Sequence, residues 1–379
     1  MDGPRPLRVE ELEALSALED AVFGHEPAGQ MFRMFPYLFS EANLDNLLVF
    51  ADEAAPSPAR IVSHVGMTIR WACLGGCTVG VACLGAVATY EAYRGQGLAT
   101  RLLEAACAKA AADGADIMMI SGGRGMYRRV GAADVGYDYR AVVDGPAGQA
   151  LRRDDVTIAE FAEDDLADCV AAYNAKEAHF IRPAEDWACF LRSGSCMCRM
   201  ARLDVVRSRG ATCGRGPVCG YFIHSWEAKR NALRILEFAG EQSALAAALP
   251  LLMERQKAPC AEIHLQAGDT TLRGILAGAG AAMEPANASG TLLLLDAPRL
   301  IRRLQPYVEQ RIGRGPAAGL SVAEEDGAFL FTLGNEIFRA ENRAAAAEFI
   351  FGRHESVRPE GLLGQAFPAP SLWYGLNYV

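Results

Sequence analysis

The stretch Leu84-Gly85-Ala86-Val87-Ala88-Thr89-Tyr90-Glu91-Ala92-Tyr93-Arg94-Gly95-Gln96-Gly97-Leu98-Ala99-Thr100 decides the fold. Its first six residues are small, apolar or β-branched, as in a buried strand. Leu98, Leu102, Leu103, Ala106 and Ala110 then recur at helical spacing up to Asp113, with Gly114 as the stop. A turn holding Gly95 and Gly97 joins the two. Strand, glycine turn and helix N-terminus together favour an anion. The glycines let the backbone come close, and the free N–H groups and helix dipole attract negative charge.

The pattern of residues narrows the ligand. A Walker loop needs Gly-x-x-x-x-Gly-Lys-Ser/Thr, and no lysine stands here. A dinucleotide loop needs Gly-x-Gly-x-x-Gly, but the third position is Thr100. What remains is Arg94-x-x-Gly97-x-Ala99 after the strand Leu84–Thr89. This resembles the acetyl-CoA signature of the GNAT acetyltransferase superfamily, Gln/Arg-x-x-Gly-x-Gly/Ala. The resemblance implies backbone contacts from Val87, Ala88 and Thr89 to the acetyl and pantetheine groups. It implies that Arg94, Gly95, Gln96, Gly97, Leu98, Ala99 and Thr100 hold the pyrophosphate.

Downstream, Ile117–Ile120 reads as another buried strand, Ser121-Gly122-Gly123-Arg124-Gly125 as a loop and Met126–Gly131 as a short helical turn. In GNAT enzymes a tyrosine in such a turn protonates the departing CoA thiolate, and Tyr127 holds that place by resemblance. Ser121 and Gly122 join the expected cofactor-binding set. The alternative is a tyrosine whose hydroxyl is merely tied to backbone.

At 379 residues the chain needs two or three domains. A net charge of −9 argues against nucleic-acid binding. Met1 to Arg8 is polar and charged, unlike a signal peptide, and no apolar run reaches a membrane span. A cytoplasmic protein is expected, with no membrane partner. Eleven scattered cysteines suit buried free thiols in a reducing compartment. Cys196-Met197-Cys198 is too tight for a zinc knuckle, and Cys213, Cys219 and His224 are a weak metal candidate, so no metal is expected.

Taken in order, Leu7–Val9 reads as a first strand, Glu10–Phe23 and Gln30–Leu38 as helices broken at Gly24-His25-Glu26-Pro27, and Leu47–Phe50 and Arg60–Trp71 as strands. The resemblance would set the helical pair, with Met31, Phe32, Met34 and Phe35, over the acceptor site; the alternative is plain core. Gly145–Gly148 reads as a linker. The pattern then restarts. Val156–Ile158, Cys198–Arg207, Pro217–Ser225, Leu233–Phe238 and Glu262–Gln266 are strand-like, and Asp164–Ala175 and Ala244–Arg255 are helical. The second half is a weak repeat of the first. Its equivalent loop reads Ala239-Gly240-Glu241-Gln242-Ser243, and Glu241 would repel phosphate. It reads as a degenerate copy without a cofactor.

After Gly290 come a strand at Leu292–Leu295, a helix at Ala297–Arg311, strand-like pieces at Gly319–Val322 and Phe329–Leu333, and a helix at Arg343–Phe351. Leu294–Leu300 and Ala347–Gly352 resemble the sterol-carrier-like third domain of Eis-type acetyltransferases, though the region is short. The chain ends in an apolar, aromatic tail with Trp373, Tyr374, Leu376 and Tyr378, which suggests docking in a groove, since frayed termini are normally polar. In Eis-type enzymes the terminal carboxylate helps activate the amine; here that would be Val379.

The expected fold is therefore α/β, with mixed α+β sheets: tandem GNAT folds at 1–145 and 150–290 and a small C-terminal α+β domain at 291–379. The expected reaction is direct acetyl transfer from acetyl-CoA to a primary amine of a small molecule or peptide, with Tyr127 and Val379 catalytic. Glu26 and the terminal carboxylate hint at a cationic amine. The rival is a non-catalytic CoA- or ligand-binding module, and a homo-oligomer is an open alternative.

Overall fold

The structure, a computed structural model, describes residues 1–24, 27–209 and 216–379. Two mixed seven-stranded sheets and a three-stranded sheet organise it.

The chain opens with β1 (Asp2–Pro6), then α1 (Leu12–Phe23) and α2 (Gln30–Met34). An antiparallel run follows: β2 (Leu47–Ala51), β3 (Ile61–Leu74) and β4 (Cys77–Thr89). The loop after β4 leads into α3 (Leu98–Ala112), then β5 (Ile117–Ile120) and α4 (Gly125–Arg129). β5 lies parallel to β4. α3 forms because Leu98, Leu102, Leu103, Ala106 and Ala110 fall on one face and are all buried. They pack on Leu48, Phe50, Val62, Met67, Met118 and Ile120. Leu102 and Leu103 are wholly buried, worth about 1.5–3 kcal/mol each.

The chain then changes sheets. β6 (Asp138–Val143) leaves the first sheet and pairs in the second. α5 (Gly145–Leu151), β7 (Val156–Glu160) and α6 (Leu166–Asn174) follow. β8 (Ala178–Phe180) returns to pair with the far end of β3. α7 (Ala184–Ser193) and the hairpin β9 (Ser195–Cys196) and β10 (Arg199–Met200) precede β11 (Arg202–Ser208), β12 (Val218–Glu227) and β13 (Ala232–Gly240). α8 (Gln242–Arg255), β14 (Ala261–Leu265), α9 (Thr270–Gly278) and β15 (Ala282–Ala286) complete the second sheet, ordered β15-β6-β14-β13-β12-β11-β7. β16 (Thr291–Leu294) crosses back onto β5.

The last part carries α10 (Ala297–Ile312), α11 (Arg314–Ala317), the meander β17 (Ser321–Glu325), β18 (Ala328–Leu333) and β19 (Glu336–Ala340), then α12 (Arg343–Phe351) and α13 (Gly361–Ala366). The core of this part is continuous with one face of the first sheet through Leu300, Ile301 and Leu304 against β4. Arg299 and Arg303 both reach the buried Asp116 carboxylate, which also accepts the Gly80 N–H at 2.7 Å. The joint is therefore ionic as well as apolar.

Several expectations shift. The first strand is Asp2–Pro6 rather than Leu7–Val9, although the Leu7 N–H still bonds the Leu47 carbonyl. Gly145–Gly148 is no linker. Asp144 caps Ala147, Pro146 fits the first turn, and α5 packs against α8. β8 is only three residues long and pairs with a strand distant in sequence, so it carries no clear periodic signal; α7 does carry one, with Trp187 and Phe190 at helical spacing, which the sequence reading omits. Glu26, Cys213 and most of the turn between β11 and β12 lie outside the described residues.

Candidate active site

β4 and β5 pair from Val81–Ile117 to Leu84–Ile120 and then part. Beyond that point β4 carries a bulge. Gly66 faces Gly85 and His64 faces Ala88, so Val65 opposes two residues. Ala86 has φ 51°, left-handed backbone that a non-glycine residue seldom adopts. Ala86 and Val87 of the bulge lie in the gap between β4 and β5.

That gap is a pocket of about 140 Å³. Gly85, Ala86, Val87, Ser121, Gly122, Arg124 and Tyr127 line one side; Phe23, Met31 and Phe35 line another. Cys198 enters from the tip of the β9–β10 hairpin, and Tyr378 and Val379 close the pocket from the tail. Val379 is only 3% exposed. A Cβ placed on Gly85 would stand 2.1 Å from both its carboxyl carbon and oxygen. Tyr127 is buried, and that burial pushes its phenol above the usual value against the opposing pull of the Arg124 guanidinium. At neutral pH it is a proton donor. Cys198 is exposed, yet the chain packed around its thiol withholds solvent from a thiolate and pushes it up from its usual value, leaving it protonated.

After β4, Arg94 to Gly97 are exposed before α3 begins. Gly95 and Gly97 have φ of 79° and 75°, and a Cβ on either would meet nothing within 4 Å. The cradle is thus open and shaped by backbone that glycine adopts freely. The first-turn N–H groups of α3 have no partner within the helix. The geometry fits a pyrophosphate, with Leu98 turned into the core and Ala99 and Thr100 in the first turn. The Arg94 Nε donates to the Thr89 carbonyl at 3.2 Å, and the Thr89 hydroxyl lies 2.8 Å from that of Ser63. Ala88 is buried on the core side.

The structure thus brings Val87, Ser121, Gly122, Tyr127 and Val379 into one pocket, while Arg94 to Thr100 form the turn after β4 and the start of α3, outside its lining. Sequence reasoning passed over Gly85, Phe23 and Cys198. Cys198 carried no signal, because it comes from the second half of the chain across a tertiary contact.

The second sheet repeats the geometry. β13 and β14 pair in parallel from Leu233–Ala261 to Ile235–Ile263 and then part. The tail enters that fork, and a cavity of about 620 Å³ stays open beside it, lined by Phe238, Glu241, Gln266, Asp269 and Ser371. The Trp373 indole N–H donates to the Leu236 carbonyl at 2.6 Å, and its ring stacks on His264 with centroids 3.8 Å apart. His224 of the weak metal candidate has its Nε2 2.8 Å from the buried Asp204 carboxylate, and Cys213 lies outside the described residues. Among the described residues no three potential metal ligands cluster. No helix of the described residues is long and apolar enough to cross a membrane.

Residues 4–135 match the family model of the acetyltransferase (GNAT) domain. These residues therefore form a GNAT acetyltransferase domain. No curated protein matches the chain. Among solved structures it is similar to Eis1 from Mycobacterium abscessus, with 15% identity, 96% of this chain and 95% of that one covered, and a TM-score of 0.59. It is similar to a GCN5-related N-acetyltransferase from Anabaena variabilis, at 13% identity, covering 92% and 89%, TM-score 0.62. A third, the GCN5-related N-acetyltransferase from Kribbella flavida, gives 17% identity, covers 88% and 83%, and has a TM-score of 0.59. At such identities the likeness is one of fold, and it spans nearly the whole chain.

Proposed function

We propose that this GNAT chain transfers an acetyl group from acetyl-CoA to a primary amine of a small molecule or peptide by direct attack, with Tyr127 as acid and the Val379 carboxylate as base. The observation that carries the reading is the pocket where β4 and β5 part, which holds both groups. The amine arrives largely as ammonium, with a pKa of about 10, and must lose a proton before it attacks. A carboxylate buried against Gly85 takes that proton directly or through water. The nitrogen then attacks the thioester carbonyl, the C–S bond breaks as the neutral Tyr127 phenol protonates the leaving sulfur, and the second proton shed by the new amide nitrogen restores the phenol through solvent. General-acid help of this kind is worth roughly 10²–10⁴-fold. Acetyl-CoA would supply the thioester, with its pyrophosphate on the Gly95–Thr100 backbone and its pantetheine arm along Val87, Ala88 and Thr89. Phe23, Met31 and Phe35 give the acceptor an apolar wall, so an amine on an apolar or aromatic body suits the pocket best.

The test is acetyl-CoA-dependent thiol release with histamine, tyramine, spermidine and a short lysine peptide. Turnover with at least one amine, lost in Tyr127→Phe, is expected. Acetyl-CoA binding without turnover on any amine would favour a ligand-binding module.

A further inference from the structure

We infer that the second sheet acts as a positioning device for the Val379 carboxylate, through Arg182, Glu237 and Asn377. The inference rests on the reading of that carboxylate as the base. The tail runs from one fork to the other: Trp373 bridges Leu236 of β13 and His264 of β14, and six residues later Val379 reaches the gap between β4 and β5.

The segment between is held by an unusual set of buried polar groups. Arg182 and Glu237 form a two-pronged pair, Nη1 to Oε1 at 2.8 Å and Nη2 to Oε2 at 2.6 Å, with side chains 1% and 3% exposed. Arg182 lies over the Tyr173 ring at 3.8 Å, and the Tyr221 hydroxyl donates to Glu237 at 2.8 Å. Each charged group then spends its remaining capacity on the tail. The Arg182 Nε donates to the Asn377 side-chain carbonyl at 2.6 Å, and Glu237 accepts the Leu376 backbone N–H at 3.0 Å. From the first domain, the Tyr37 hydroxyl donates to the Leu376 carbonyl. Gly375 passes so close to Glu237 that a Cβ there would stand 1.8 Å from its Oε2.

A buried ion pair is a poor way to gain stability, since a well-packed apolar pair often does as well. A tail that only needed docking could rely on Trp373, Tyr374 and Leu376. The polar latch adds direction instead. It fixes the backbone at 376 and the side chain at 377, two residues before the carboxylate, which leaves roughly 7 Å of chain in which to wander. The copy that carries Glu241 in place of an anion loop thus keeps a use as the socket that aims the base.

The experiment compares Asn377→Leu and Arg182→Lys with a chain carrying one added glycine after Val379, using the panel amine of highest turnover. Both latch variants keep the Glu237 charge paired but lose the bond to residue 377. Expected is a fall in kcat of about tenfold or more at an unchanged KM for acetyl-CoA. The rising limb of the rate against pH should also move towards the amine's own pKa, about 10. Asn377→Asp, which still offers Arg182 an oxygen, should stay within about twofold of the parent. A merely structural role would lower the melting temperature without moving the pH limb. Folded Asn377→Leu and Arg182→Lys proteins with parental kcat and pH profile, beside an impaired glycine-extended chain, overturn the inference and leave the carboxylate reading intact. Full turnover in the glycine-extended chain removes the carboxylate reading itself. Should Asn377→Leu fail to fold, Arg182→Lys gives the answer alone.

Discussion

The carboxyl group of Val379 lies directly against Cα of Gly85, so close that one added methyl would overlap it at 2.1 Å. Two residues 294 positions apart in the chain therefore share one van der Waals surface at the fork of β4 and β5 (379 − 85 = 294). Gly85→Ala should push the tail end out of the pocket. The expected result is faster hydrogen exchange at residues 376–378 and a fall in kcat of at least about tenfold, the low side of an acid–base effect. Unchanged exchange with parental kcat would show that the contact has no bearing on turnover.

Tyr127→Phe removes one hydroxyl and no volume. Folding and acetyl-CoA affinity should hold while kcat falls by at least about tenfold. The pH profile sharpens this. Burial raises the Tyr127 phenol, so the group stays protonated through neutral and mildly alkaline solution. Activity should therefore climb with pH as the amine or base loses its proton, and fall only above the ordinary tyrosine value of about 10. A descending limb centred near pH 8 would assign the acid to another group.

Gly97→Asp or Arg94→Glu places negative charge where the pyrophosphate would lie. Gly97 has φ 75°, so the first change also strains the turn by about 1–2 kcal/mol. Calorimetry should show acetyl-CoA binding abolished in both variants, with the protein still folded. Affinity equal to that of the parent chain would remove the loop from the cofactor site.

The full chain should bind one acetyl-CoA. Trp373 enters the second fork, and Glu241, which would repel a phosphate, lines the cavity beside it where the first copy has its glycine cradle. Titration giving two sites per chain would overturn the reading of the second half as a degenerate copy.

Glu237→Ala would strand Arg182 as a buried, unpaired guanidinium. A loss of about 3–5 kcal/mol is expected, seen as a lower midpoint in urea. A change below about 1 kcal/mol would mean that water reaches the pair.

The first domain was legible because its signals are local. The period of Leu98 to Ala110, the run Ile117–Ile120 and the Gly95–Gly97 turn each depend on neighbours within a few residues, and each stands where the sequence placed it. The strand Asp2–Pro6 was missed because two prolines obscure it; its place is set by pairing with β2, some 45 residues away. Gly145–Gly148 looked like a linker because glycine and proline dominate it, yet the Asp144 cap and burial against α8 outweigh that propensity. In the pocket, backbone-anchored residues could be read from their motif, whereas Cys198 and Gly85 gain meaning only from partners remote in sequence.

The exchange of strands between the sheets bears on how the protein is made. β6 leaves the first half for the second sheet, and β8 and β16 travel the other way. The first sheet receives its last strand only when Leu294 has been synthesised. A nascent chain that stops near residue 145 would expose the open edges of β3 and β5, and such edges invite pairing with other chains. Ribosomal pausing before β16 should thus be hazardous, and early stop codons should give insoluble fragments rather than small working enzymes.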